Sequence, residues 1–256
     1  MADQTAAAIG TPIWVDLQSS DPDAAKRFYG ALFGWDAETV PDAGGYAFFR
    51  KGGKMVAGVG PIMGDPSQQP SAWSTYIGTT DAAAIAQKVR DAGGTVVMGP
   101  DEVMEAGTIA VFQDPTGAYF GVWQPKGHGG AEVFNEPGSL TWNELATTDV
   151  DAAKRFYTSV FGWGAETHGS GEQAYTEWQL NGRSMAGMMQ MGSNYPPGVP
   201  PHWLAYFATA NAEDTVNKAK EAGGQVMMGP MTIPQGTIAV LSDPTGAVFA
   251  VIQSAR

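Results

Sequence analysis

The sequence predicts an α+β protein of two tandem domains, each assembled from two βαβββ modules. Three observations carry this. First, the chain repeats itself: residues 23–29, DAAKRFY, recur unchanged as residues 151–157, a shift of 128 residues, and FGW follows at 33–35 and 161–163. AGG at 92–94 matches 222–224, MGP at 98–100 matches 228–230, and GTIAV followed by DPTGA begins at Gly107 and again at Gly236. Blocks matched in the same order at so long a period mean a duplicated domain, not a solenoid of short repeats. Second, each copy holds the same coarse pattern twice: an apolar run, a helical period, then further short apolar runs. Third, 34 glycines and 17 prolines in 256 residues are too much turn chemistry for a helical bundle. The expected boundaries are 9–125 for the first domain, 126–138 for a Gly-rich, aperiodic linker, and 139–256 for the second domain.

The elements of the first copy follow in order. Residues 13–17 read as a strand. Asp21 then caps a helix with Pro22 at its first position. Ala25, Phe28, Tyr29 and Leu32 fall at i, i+3, i+4 and i+7 on one buried face, and Gly34 ends the helix. Residues 46–50 and 55–62 read as strands around the turn 51–54. The second module repeats the scheme, with a strand over 73–78, a helix over 81–91 stopped by Gly93 and Gly94, and strands over 95–98, 108–112 and 119–124. Asp114, Pro115 and Gly117 occupy positions i, i+1 and i+3 of a type I turn, which joins the last two strands as a hairpin.

Charge and composition exclude several function classes. The 26 acidic residues against 14 Lys and Arg give a net charge of −12, which repels phosphate backbones and anionic lipid surfaces, so neither nucleic acid nor membrane is an expected partner. With no cysteine there is no disulfide framework, thiolate metal site or cysteine nucleophile. Residues 1–12 carry neither the basic start nor the apolar run of a secretory leader, so the expected location is the cytoplasm. No phosphate-binding loop and no G-x-S-x-G elbow occurs.

Taken together, DPDAAKRFYGALFGW and DVDAAKRFYTSVFGW after a first strand, the helices ending in AGG, and the closing DPTGAYFGVWQ and DPTGAVFAVIQ resemble the vicinal oxygen chelate superfamily. This is the glyoxalase, bleomycin-resistance and extradiol-dioxygenase group, and the likeness is to its tandem two-domain members, some labelled hydroxylase-like. The resemblance implies metal ligands on the first and last strand of each module. Carried over, the first-strand seats fall on Trp14, Trp73, Trp142 and Trp203, and the last-strand seats fall near Gly58, on Gly121, near Gly187 and on Ala250. Indole, glycine and alanine offer no ligand, whereas a first-row divalent ion needs a closed set of His, carboxylate or thiolate donors. The expectation is therefore no metal and no cofactor, with aromatic-lined cavities in place of the metal sites. His202 is one residue from a mapped seat, but Ala72 occupies the matching place in the other copy, so it reads as a loop-end histidine.

Strand alternation then names the neighbours of the tryptophans. Asp16 accompanies Trp14, Glu144 accompanies Trp142, Thr75 accompanies Trp73, and Ala205 accompanies Trp203; Tyr76 and Tyr206, of opposite parity, are expected in the helix-facing core. Asp16 and Glu144 are the candidate catalytic acids or bases, since a carboxylate in a dry apolar pocket rises toward neutral pKa; the plainer reading is that each is satisfied locally and fixes its strand. Met55 and Met185, with Met188 and Met189, are candidates for the opposite wall, or ordinary core. With Gly121, Trp123 and Ala250 these residues make up the expected ligand-binding set. The connections 61–72 and 192–201 could cover a cleft mouth. The leading expectation is a metal-independent protein binding or sequestering a small hydrophobic or aromatic molecule, as a monomer or weak homodimer. The rivals are a cofactor-free lyase, isomerase or hydroxylase using Asp16 or Glu144, and a metal-dependent glyoxalase-type lyase.

Overall fold

Strand β1 (Pro12–Ser19) alternates as a half-covered strand must: Ile13, Val15 and Leu17 are fully buried, while Asp16 and Gln18 keep some exposure. Helix α1 (Pro22–Phe33) begins where the Asp21 carboxylate accepts from the Ala24 N–H, and it ends at Gly34 in the left-handed conformation, φ 70°. Its buried face is Ala25, Phe28, Tyr29 and Leu32. These assignments belong to a computed structural model that describes residues 7–65, 69–193 and 195–255. Residues 1–6, read above for a leader, and residues 66–68 and 194, within the two long connections, lie outside the described residues.

After α1 come β2 (Asp36–Thr39), β3 (Ala47–Lys51) and β4 (Lys54–Pro61), and the second module supplies β5 (Ala72–Gly78), α2 (Ala82–Asp91), β6 (Thr95–Val103), β7 (Gly107–Gln113) and β8 (Tyr119–Pro125). The second copy gives β9 (Leu140–Thr147), α3 (Val150–Phe161), β10 (Gly164–His168), β11 (Tyr175–Leu180), β12 (Arg183–Gln190), β13 (His202–Ala208), α4 (Ala212–Glu221), β14 (Gln225–Ile233), β15 (Gly236–Ser242) and β16 (Val248–Ser254). Each copy forms an eight-stranded mixed sheet, in the orders β2-β3-β4-β1-β5-β8-β7-β6 and β10-β11-β12-β9-β13-β16-β15-β14. The DPTG segment makes the expected turn, with the Gly117 N–H donating to the Asp114 carbonyl at 3.0 Å, and it joins β7 to β8. No helix among the described residues is long and apolar enough to cross a membrane.

While the sheets follow the two halves of the sequence, packing groups the chain differently. One compact unit contains the described residues up to Trp14 with Thr75–Gly130 and Trp142–Leu204; the other contains Val15–Ser74, Ala131–Thr141 and the residues from Ala205 on. Each unit thus joins one module of the first copy to one module of the second. In the first unit the Tyr157 hydroxyl of α3 donates to Asp114 Oδ2 at 3.0 Å and accepts from the Trp203 indole at 2.9 Å. In the second, Tyr29 of α1 donates to Asp243 Oδ2 at 3.2 Å and accepts from Trp73 at 2.9 Å. The tyrosine of the repeated DAAKRFY and the aspartate of the repeated DPTG therefore form the same clasp twice. Around Tyr157 pack Phe156, Phe120, Trp163 and Trp178, and around Tyr29 pack Trp35, Phe49 and Phe249.

The segment read as a linker makes no helix and, apart from a single bridge between Phe134 and Leu140, no strand. Even so, His128, Ala131, Val133 and Phe134 are buried, so it is packed chain and not a loose tether.

Candidate functional site

In every module the last strand runs parallel to the first, and the register decides which side chains meet. Asp16 lies opposite Gly58, Tyr76 opposite Gly121, Glu144 opposite Gly187 and Tyr206 opposite Ala250. In this register the residues beside the four last-strand positions are Asp16, Tyr76, Glu144 and Tyr206, and the four tryptophans lie two or three residues before them. For Trp14 and Trp142 the displacement is two residues, which preserves the face; for Trp73 and Trp203 it is three, which reverses it.

The expected side for Trp73, Thr75 and Trp203 is thus corrected: they point toward the helices. Trp73 and Trp203 bond to the helix tyrosines, while Thr75 donates to Asn143 Oδ1 at 2.8 Å in a buried contact. Tyr76, expected in the helix-facing core, lies on the other face, its ring filling the space where a Gly121 side chain would begin, 2.2 Å from the ideal Cβ.

In the first unit the opposite face carries a continuous chain of hydrogen bonds. The Trp142 indole N–H donates to the Tyr175 hydroxyl at 2.9 Å, and Tyr175 donates to Glu144 Oε2 at 2.8 Å. Gly187 makes this possible, since a Cβ there would stand 1.8 Å from the Tyr175 oxygen. Glu144 and Trp142 are 8% and 9% exposed. Burial, and then the Glu144 charge, push the Tyr175 phenol far above its ordinary value. Tyr195, from the connection between β12 and β13, is pushed up to about 12 by burial and then by the same carboxylate. His202 lies at the end of that connection, with its Nδ1 2.9 Å from the Pro200 carbonyl oxygen and its ring 6.1 Å from that of Tyr195.

A second aromatic group in this unit joins Trp14, Trp123 and His128. The Trp123 indole donates to the His128 carbonyl at 2.7 Å, and the His128 ring packs edge-on against Trp14, centroids 4.5 Å apart, and against Trp123 at 5.6 Å. Met185 belongs to the buried hydrophobic core with Met188, Trp178 and Trp203.

The second unit repeats the carboxylate arrangement with a shorter acid. A Cβ on Gly58 would lie 1.9 Å from the Tyr46 hydroxyl and 3.0 Å from the Asp16 Cβ, so the phenol and the first carbon of the Asp16 side chain flank that glycine. Ala250 is fully buried, in register with Tyr206. Met55 takes part in two bonds with the 131–141 segment: it donates its N–H to Glu132 Oε2 at 2.6 Å and accepts from the Glu132 N–H at 2.8 Å. A register shift in the β3–β4 pairing sets Met55 opposite Arg50 and Gly58 opposite Phe48, two residues apart on β3, so Met55 shares the face of Gly58.

The structure therefore brings Trp142 with Glu144, and Trp14 with Trp123, while Asp16 stands with Tyr46. Among the described residues no three His, Asp or Glu side chains converge as a metal site. What the arrangement offers is aromatic surface, neutral phenol donors and one carboxylate in each unit, which suits hydrogen bonding to a largely apolar molecule or a proton transfer at Glu144. Sequence reasoning missed Tyr46, Tyr175, Tyr195 and His128. The signal for the first two was present, because a glycine on a buried strand leaves a volume that another side chain must fill.

The Glyoxalase/Bleomycin resistance protein/Dioxygenase superfamily model matches residues 11–122 and 139–251. A Mycobacterium tuberculosis protein described as "Putative glyoxylase CFP32" is 44% identical over 255 residues, covering 96% of this chain and 95% of that one. The anthracycline biosynthesis protein DauV of Streptomyces sp. strain C5 is 39% identical over 261 residues, covering 96% and 94%. Among solved structures, the Mn(II)-bound glyoxalase from Novosphingobium aromaticivorans superposes with a TM-score of 0.66 at 17% identity, covering 96% of this chain and 82% of that one. The 2,3-dioxygenase LapB from Pseudomonas sp. KL28 does so with a TM-score of 0.66 at 14% identity, covering 96% and 92%. With both halves matched by the family model and these relatives aligned along nearly its whole length, the chain belongs to the Glyoxalase/Bleomycin resistance protein/Dioxygenase superfamily.

Proposed function

We propose that this chain is a metal-independent, cytoplasmic member of its superfamily that binds a small, flat hydrophobic or aromatic molecule on the sheet face opposite the helices, acting as a monomer or weak dimer. The observation that carries this is the identity of the paired positions: Asp16 with Gly58, Tyr76 with Gly121, Glu144 with Gly187 and Tyr206 with Ala250. A divalent ion needs several convergent donors. Here phenols occupy the space over the three glycines, and each unit's paired positions include a single carboxylate. This donor set does not fit the metal that glyoxalase and dioxygenase relatives imply. Indole, phenol and imidazole surfaces instead favour stacking on a planar ligand. The kinship with an anthracycline biosynthesis protein points the same way, since anthracyclines are planar polycyclic aromatics.

Intrinsic tryptophan fluorescence, titrated with aromatic metabolites, tests the reading, with Trp14→Ala and Trp142→Ala as controls. A saturable response altered by one or both substitutions is expected. A response unchanged in both, or stoichiometric divalent metal found by elemental analysis of the purified protein, overturns it. A second reading, cofactor-free proton transfer, draws on the Tyr175–Glu144 hydrogen bond. It requires turnover that survives metal removal and is lost in Glu144→Gln.

A further inference from the structure

In the first unit the Glu144 carboxylate stands among aromatic side chains from three parts of the chain. Trp142 precedes it by two residues on the same face of β9, Tyr175 begins β11, and Tyr195 belongs to the connection that follows β12. Hydrogen bonds fix the first two: indole to phenol at 2.9 Å, phenol to carboxylate at 2.8 Å. Tyr195 feels the same charge, since burial and Glu144 together hold its phenol at about 12, so it remains a neutral ring at physiological pH. Each neighbour is aromatic, and none of the three brings a positive charge.

A carboxylate walled by indole and phenol rings is the chemistry that recognises an organic cation. The negative charge attracts an ammonium or pyridinium-type nitrogen directly, and ring faces add cation–π attraction, which grows as water is excluded. An anionic ligand meets repulsion at the same place. Long-range charge acts in the same sense, because a net −12 draws cations toward the protein and disfavours anions. We propose that the Glu144 corner of the first unit is a subsite for the cationic nitrogen of a bound aromatic molecule, with Trp142, Tyr175 and Tyr195 as its walls. This rests on the reading that the chain binds small aromatic molecules and adds the charge those molecules carry. In the other unit, Asp16 is shorter by one methylene, so its carboxylate reaches less far from its strand.

Three tricyclic probes of similar size separate the possibilities when titrated into the full chain: cationic 9-aminoacridine, neutral 9-anthracenemethanol and anionic 9-anthracenecarboxylate. The cation is expected to bind about tenfold more tightly than the neutral probe, and the anion more weakly than either. Added salt should erode the advantage of the cation and leave the neutral probe unchanged. Glu144→Gln, which retains an acceptor for Tyr175, should bring the cationic and neutral probes to equal affinity. Equal binding of all three probes to the unsubstituted protein, a preference indifferent to salt, or a preference intact in Glu144→Gln overturns the subsite and leaves aromatic binding standing. If none of the three binds, the aromatic-ligand reading fails and the subsite fails with it.

Discussion

Tyr195 shows how one carboxylate sets the properties of residues beyond its own strand. Burial and then the Glu144 charge push its phenol up to about 12. A tyrosine in an unfolded chain titrates at about 10, so the folded state holds this proton more tightly. Its contribution to stability is therefore complete below about pH 10 and is lost as the pH climbs through about 12. Tyr175 acts with the same sign, its phenol raised by burial and by the same acid. Denaturant midpoints should accordingly fall from about pH 10 upward, and Tyr195→Phe should make that fall shallower; a profile unchanged by the substitution would contradict the placement of Tyr195 beside Glu144. At this scale the sequence showed half of the pair. Glu144 was legible because strand alternation puts it on the face of Trp142, whereas Tyr175 is 31 residues away and reaches Glu144 only through the pairing of β11, β12 and β9.

Among the elements, the helices were the most legible, because their punctuation is local. Asp21 with Pro22 and the glycine at position 34 mark the two ends of α1, and Asp149 and Gly162 do the same for α3. Strand β2 was illegible, since all four of its residues, Asp36–Thr39, are exposed at a sheet edge and carry no alternation. Strands β5 and β13 were legible as strands but not in orientation. Period-two patterning says which residues share a face, not which face looks toward the helices, and here both faces are covered by aromatic residues: Trp73 and Trp203 on one, Tyr76 and Tyr206 on the other. The helix tyrosines settle the orientation. Each hydroxyl lies between an indole donor and an aspartate that also caps its own turn; Asp114 Oδ1, for example, accepts from Thr116, Gly117 and Ala118 N–H groups. Tyr157→Phe would leave the Trp203 N–H and Asp114 Oδ2 without that partner in a buried site, a cost of about 1–3 kcal/mol. Tyr29→Phe should cost a similar amount, and equilibrium unfolding in urea measures both. A loss near zero for either would mean that its clasp does not hold the helix to the turn.

For the whole molecule, the duplication has a consequence that neither half of the sequence displays by itself. One packing unit draws on residues 75–130 and 142–204, the other on residues 15–74 and 205–255, so neither half of the sequence owns a complete unit. Several bonds join the halves inside a single unit: Tyr157 to Asp114, Tyr29 to Asp243, Thr75 to Asn143, Trp35 to the Gly138 carbonyl, and Trp163 to the Gly10 carbonyl. The longest exposed run between the halves is Asn135, Glu136 and Pro137, between buried Phe134 and Gly138. A protease site inserted between Glu136 and Pro137 should therefore be cleavable in the folded protein. The two fragments should then stay together under native conditions and elute at the size of the uncut chain, because the contacts that hold each unit do not run through that peptide bond. They should separate only in denaturant, where the burial shared between modules is lost. Fragments that part in native buffer would show that each half of the sequence folds and holds together alone, with the two clasps as incidental contacts.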